Sequence, residues 1–204
     1  MLIVANDTSL LEFLWLQVTF SPVFVVMDFD EKTKKAGLRP VGRLELIKRA
    51  CGITFPARVD GGLLYKSFKE VREASYVQNR PLIFFPECTR SNGKGVLEPP
   101  NEAIELIIDA TKGGKFAIHV LRFDYSLNSA SMQPYNSTDT RGLRHALVML
   151  AQFLNKMQVQ YYFNLHKSAG WYDMITVDDA KRKIKQALFS KGREYNLDKD
   201  WRDH

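Results

Sequence analysis

The chain has 204 residues, 45% of them hydrophobic and 25% charged. That is enough for one domain with a real core, and too ordinary a balance for a disordered or low-complexity protein. The net charge of +6 suits an acidic membrane surface or a phosphorylated substrate, or is simply a solvated basic surface. No basic run is interleaved with aromatics, which speaks against a nucleic-acid groove.

Leu2-Ile3-Val4-Ala5 is a short strand-like run without a basic flank, so no cleavable signal peptide is expected. The polar cluster Asn6-Asp7-Thr8-Ser9 is suited to cap a helix that starts near Thr8 or Ser9 and runs through Trp15 and Gln17. Pro22 ends that pattern, and Val23 to Met27 reads as a buried strand. A membrane-spanning helix needs about 18 apolar residues or more. The nearest stretch, Leu10 to Met27, is interrupted by Glu12, Gln17, Thr19, Ser21 and Pro22. It fits a core helix and strand, or a surface that touches lipid.

Lys32 to Arg39 reads as a basic connection, and Leu44 to Ala50 as a short helix closed by Gly52. Ile53 to Phe55 fits a strand, and Gly62 to Ser75 a helix. Pro81 to Phe85 is the clearest strand and runs directly into Pro86-Glu87-Cys88-Thr89-Arg90. Glu102 to Ala110 is helical, Phe116 to Phe123 a strand, and Ser126 to Thr140 a long polar loop. Leu143 to Met157 has an apolar stripe at helical spacing. Val159 to Leu165 then reads as a strand and Val177 to Ser190 as a basic helix, with a polar tail from Lys191. This alternation predicts one α/β domain, a mixed and largely parallel sheet flanked by helices. In such sheets functional residues gather beyond the carboxyl ends of the strands, where both polar clusters fall.

The turn after the clearest strand holds a carboxylate, a hydroxyl and a guanidinium. An arginine fork binds phosphate oxygens by paired hydrogen bonds, and a neighbouring carboxylate can orient it. An ordinary polar turn with an internal Glu87–Arg90 pair explains the same residues. Cys51 and Cys88 are the only cysteines; two cannot build a disulfide framework or a metal cluster.

Phe85-Pro86-Glu87-Cys88-Thr89-Arg90-Ser91 resembles the Phe-Pro-Glu-Gly-Thr-Arg-Ser motif of the glycerol-phosphate and lysophospholipid acyltransferase family, with Cys88 at the glycine. Gly52 to Arg58 is similar to the family's second block, with Arg58 at its phosphate-binding arginine and Pro56-Ala57 replacing the usual Ile-Asp. Ala117 to Phe123 resembles the fourth block, without its proline. Val4 to Glu12 is similar to the Asn-His-x-x-x-x-Asp block, with Asp7 at the histidine and Glu12 at the aspartate.

The resemblance implies an acyltransferase-like domain over residues 1–190 and a polar tail over 191–204. The family segment that docks on the membrane ahead of the first block is expected to be missing. The implied reaction moves an acyl group from acyl-CoA, a co-substrate, to a lysophospholipid such as lysophosphatidic acid, in phospholipid and triacylglycerol synthesis. No cofactor or metal is implied. The setting would be a membrane surface, the cytosolic face of the endoplasmic reticulum or a lipid droplet.

In that scheme Asp7 is the base and Glu12 its orienter. Arg58, Glu87, Thr89 and Arg90 bind the acceptor, and Asn6, Ser9, Pro86 and Cys88 shape the turns. A histidine near pKa of about 6.5 is the better base, because an ordinary aspartate titrates at about 3.9. A positioned aspartate does accept hydroxyl protons in other enzymes, so a slower enzyme is physically sound, as is a catalytically impaired lipid- or phosphate-binding module. His119, His145 and His166 fall on predicted strands and helices and read as core or surface residues.

Overall fold

The computed structural model describes residues 1–7, 10–30, 35–50, 64–75, 79–88, 99–111, 116–125 and 157–162, with 178, 182 and 184. These form a mixed six-stranded sheet flanked by helices, an α/β arrangement. The strands are β1 (Leu2–Ala5), β2 (Val23–Asp30), β3 (Lys35–Val41), β4 (Leu82–Phe84), β5 (Ile118–Tyr125) and β6 (Met157–Tyr162). Their order across the sheet is β3-β2-β4-β1-β5-β6. β2, β4, β1 and β5 are parallel, while β3 and β6 close the edges antiparallel.

Burial explains the sequence of the central strands. β1 is buried along its whole length, as is β4. A parallel strand covered on both faces must be apolar at every position rather than alternating. The two faces carry separate cores. On one, Ile3, Ala5, Ile83 and Leu121 meet Phe13 and Leu16 of α1 (Leu10–Phe20) and Leu46 of α2 (Arg43–Ala50). On the other, Val4, Phe84 and Val120 meet Phe68 of α3 (Phe68–Ala74) and Ile104 and Ile107 of α4 (Asn101–Thr111).

α1 ends where Ser21 takes a left-handed φ of 44°, its N–H donating to the carbonyl of Gln17 at 3.1 Å. Pro22 follows and cannot extend the helix. α3 is capped by Ser67, whose hydroxyl accepts from the Glu70 N–H at 3.3 Å. The Glu70 carboxylate reaches back to the Lys66 N–H at 2.8 Å. This arrangement is close to a capping box.

Several boundaries differ from the sequence expectation. Most of the expected basic connection Lys32 to Arg39 falls within β3, paired with β2 from Phe24↔Val41 to Asp30↔Lys35. Gly37 and Pro40 weaken the strand signal there, yet an edge strand tolerates both. Gly37 has its own cause: a Cβ added there would come within 2.7 Å of the Leu64 Cβ, since Tyr65 bridges to Leu38 by two backbone hydrogen bonds of 2.8 Å. That bridge also delays α3 to Phe68, later than the Gly62 expected. Met157 begins β6 instead of ending a helix.

The expected strand at 53–55, the loop at 126–140, the helix over 143–156 and the tail over 191–204 lie outside the described residues. Of the expected basic helix, Asp178, Arg182 and Ile184 are helical, with Ile184 buried in the second core. Among the described residues no helix is long and apolar enough to cross a membrane.

Candidate functional site

The topology sets a switch point among the described strands. From β1 the chain passes through α1 on one face to β2, two positions away on one side. From β4 it passes through α4 on the opposite face to β5, two positions away on the other side. Adjacent parallel strands whose connections leave in opposite directions form a switch point, and the gap outside their carboxyl ends is where such sheets bind ligands. β1 and β4 are that pair, in register from Leu2↔Leu82 to Val4↔Phe84. Neighbouring strands lie about 4.8 Å apart, so the Asp7 turn and the Glu87 turn emerge side by side at the same edge.

Asn6 fixes the first turn. Its amide N–H donates to the Phe123 carbonyl at 3.0 Å, and its amide oxygen accepts from the Phe123 N–H at 2.8 Å. The side chain thereby extends the β1–β5 ladder beyond its last backbone pair, Ala5↔Leu121. Buried asparagine needs both halves of its amide satisfied, and this geometry supplies them. Asp7 follows, half-buried at the mouth of the gap. Glu12, in the first turn of α1, is only 1% exposed.

The second turn is tighter. The Cys88 N–H donates to the Phe85 carbonyl at 3.1 Å, closing a turn over Pro86 and Glu87, both buried. Cys88 takes a left-handed φ of 55°. That conformation costs a side chain about 1–2 kcal/mol, and it falls at the position where the resembled motif has glycine. The Cys88 thiol lies 3.5 Å from the Pro86 carbonyl, a weak hydrogen bond.

A third carboxylate stands at the same level. Asp28 on β2 is three residues beyond Val25, as Glu87 is beyond Phe84 and Asp7 beyond Val4, and these three residues are mutually level. Asp28 is committed elsewhere. Arg39 donates from Nε to Asp28 at 2.7 Å and from both terminal nitrogens to Glu45 at 3.0 and 2.7 Å. The Glu45 hydrogen bonds chiefly, then those to Asp28, hold the Arg39 guanidinium firmly charged against the effect of burial. This clamp ties β2, β3 and α2 together. Nothing in the sequence pattern marked it, because Arg39 read as part of a connection and Asp28 lay past the expected end of its strand.

His119 lies elsewhere. It is level with Ile3, four residues and so about 13 Å short of Asp7 along the strand direction. Its Nδ1 is 2.6 Å from the Tyr161 hydroxyl, with the two rings stacked. Burial first, and then the nearby Met1 ammonium, push its pKa down. Ser9, Arg58, Thr89, Arg90, His145 and His166 lie outside the described residues. Among the described residues no group of three or more metal-ligating side chains is close enough to hold a metal. The described site is thus a pair of apposed turns carrying Asp7 and Glu87, backed by buried Glu12 and anchored by Asn6.

No protein-family model, no curated protein and no solved structure matches this chain.

Proposed function

We propose that the gap between β1 and β4 is the active site of an acyltransferase that moves a fatty acyl group from acyl-CoA to a lysophospholipid such as lysophosphatidic acid. One observation carries the reading. The two turns that resemble separate acyltransferase blocks, 80 residues apart (87 − 7 = 80), leave adjacent parallel strands at the same edge and at the same level. The left-handed backbone at Cys88 adds to it, being the shape for which the motif's glycine is suited.

In this scheme the acceptor hydroxyl oxygen attacks the thioester carbonyl carbon while the Asp7 carboxylate takes its proton. The carbon–sulfur bond then breaks, and the coenzyme A thiolate leaves with that proton. General-base assistance of this kind contributes about 10²–10⁴ in rate. Glu12 supports the Asp7 turn from beneath, Glu87 faces the acceptor's glycerol group, and Thr89, Arg90 and Arg58 take the phosphate. The protein would work at the cytosolic face of the endoplasmic reticulum or at a lipid droplet.

Radiolabelled acyl-CoA and lysophosphatidic acid, given to the purified full-length chain, test the proposal. Turnover should fall at least about 100-fold in Asp7→Ala. Absence of turnover by the wild type sinks the enzyme reading.

A second reading is favoured by one specific observation: Asp7 stands where the family has histidine, and His119 is engaged with Tyr161 well below that level. A catalytically impaired, lipid- or phosphate-binding membrane-associated module fits that arrangement. It predicts phosphate-lipid binding without turnover, lost in Arg90→Ala.

A further inference from the structure

α1 reverses the distribution expected of a helix at the surface of a sheet. Its one carboxylate, Glu12, is turned inward and buried, while Val18 is 86% exposed. Leu11, Leu14 and Trp15 lie towards the outward side with Val18 at helical spacing, each part-exposed, with Leu14 and Trp15 also touching the core along one edge, and no charged residue interrupts them. A surface helix ordinarily shows water its polar side. α2 packs beside α1 and repeats the pattern, with Leu44 74% exposed and Ile47 part-exposed on the same side of the helix.

Among the described residues of α1 and α2, the exposed charges have one sign. Arg43 and Lys48 are exposed, whereas the carboxylate of α2, Glu45, is drawn to Arg39. An apolar strip edged by cations is matched by an anionic lipid surface: the headgroups take the lysine and arginine, and the side chains enter the boundary with the acyl region. A part-buried tryptophan such as Trp15 suits that boundary. A two-fold interface between copies of the chain is the poorer match, since it would bring Arg43 and Lys48 of both copies together.

We infer that the outer face of α1 and α2 docks this protein on an anionic phospholipid bilayer. The inference rests on the lipid-acceptor reading for its setting and deepens it, because α1 starts three residues after Asp7 and runs away from the gap. Docking through α1 would hold the site's entrance near the lipid from which an acceptor comes.

Flotation of the full chain with vesicles tests this, comparing phosphatidylcholine alone with an equimolar mixture of phosphatidylcholine and phosphatidylserine. The wild type should bind the mixed vesicles at least about tenfold more strongly. Val18→Asp with Leu44→Asp should lower that partition about tenfold or more while leaving the melting temperature near that of the wild type. Arg43→Gln with Lys48→Gln should reduce the preference for phosphatidylserine and leave the weak binding to phosphatidylcholine intact. A wild type that ignores both vesicles, or a Val18/Leu44 double variant that binds as well as the wild type, overturns docking. So does a dimer in sedimentation that Val18→Asp dissociates without any vesicle binding. Turnover on acceptor dispersed in detergent micelles separates the two ideas. Its absence with vesicle binding intact removes acyl transfer alone, and its presence without vesicle binding removes docking alone.

Discussion

α1 and α4 cover opposite faces of one sheet with eleven residues each, yet their outer sides are built for different surroundings. α4 buries Ile104, Ile107 and Ile108 and turns Glu105 to solvent, with Glu102 and Asp109 part-exposed. It starts from Pro100, whose carbonyl accepts the first helical N–H groups. α1 buries Phe13 and Leu16 just as well, but it also buries Glu12 and exposes Val18. The inner sides obey the same packing rule. The difference lies in the outer sides and in the one carboxylate that α1 buries, Glu12.

The comparison can be broken at either helix. Ile107→Ala removes a fully buried side chain from the core under α4 and should cost about 2–5 kcal/mol in urea unfolding. Leu16 in α1 is likewise fully buried, so Leu16→Ala should cost a similar amount. A loss below about 1 kcal/mol for Leu16→Ala would show that α1 is only loosely attached to the sheet.

Removing one partner from the clamp behind the site comes next. Arg39→Met leaves Asp28 buried without its guanidinium, which should cost about 3 kcal/mol. Arg39→Met with Asp28→Leu should recover much of that loss, because the uncompensated buried charge is then gone.

Cys88→Gly should raise stability by up to about 1–2 kcal/mol, since glycine adopts the left-handed turn without a side-chain penalty. Unchanged or lowered stability would mean that the thiol's packing against the core outweighs the strain.

The pH dependence involves His119, whose lowered pKa means that the folded chain takes up this proton less readily than the unfolded one. Its contribution to stability is whole above the unfolded histidine's pKa of about 6.5, and it is lost as pH falls through that value towards the lower folded one. Urea midpoints should therefore drop between pH 7.5 and pH 5.5, and the drop should be shallower in His119→Gln.

The smallest effect is expected at Val18→Lys, within about 0.5 kcal/mol of the wild type. Glu105→Lys on α4 should be equally silent for folding. The pair is useful because only the first should disturb vesicle binding.

Much of the scaffold was legible in the sequence because its strongest elements are unambiguous. An uninterrupted apolar run followed at once by a polar turn described β1 and β4 well, and the helix expected over Glu102 to Ala110 lies within α4. β3 was not legible. Gly37 and Pro40 suppress its strand signal, and both make sense only once the strand is seen at an edge, with Leu64 crowding the glycine. The residues of the two turns could be singled out by their chemistry, whereas the clamp of Asp28, Arg39 and Glu45 could not, since it joins three elements whose proximity no local pattern encodes.

By itself the sequence determined which segments must be buried and which turns carry reactive groups, for these follow from hydrophobicity and from the chemistry of single residues. Tertiary structure alone decided that β1 and β4 are neighbours, that their connections part to opposite faces, and that the turns bearing Asp7 and Glu87 therefore leave adjacent strands at one edge. It also decided which way each residue of α1 points, sending a glutamate inward and a valine out. Pairing and orientation are set by contacts between residues far apart in the chain, and no reading along the chain contains them.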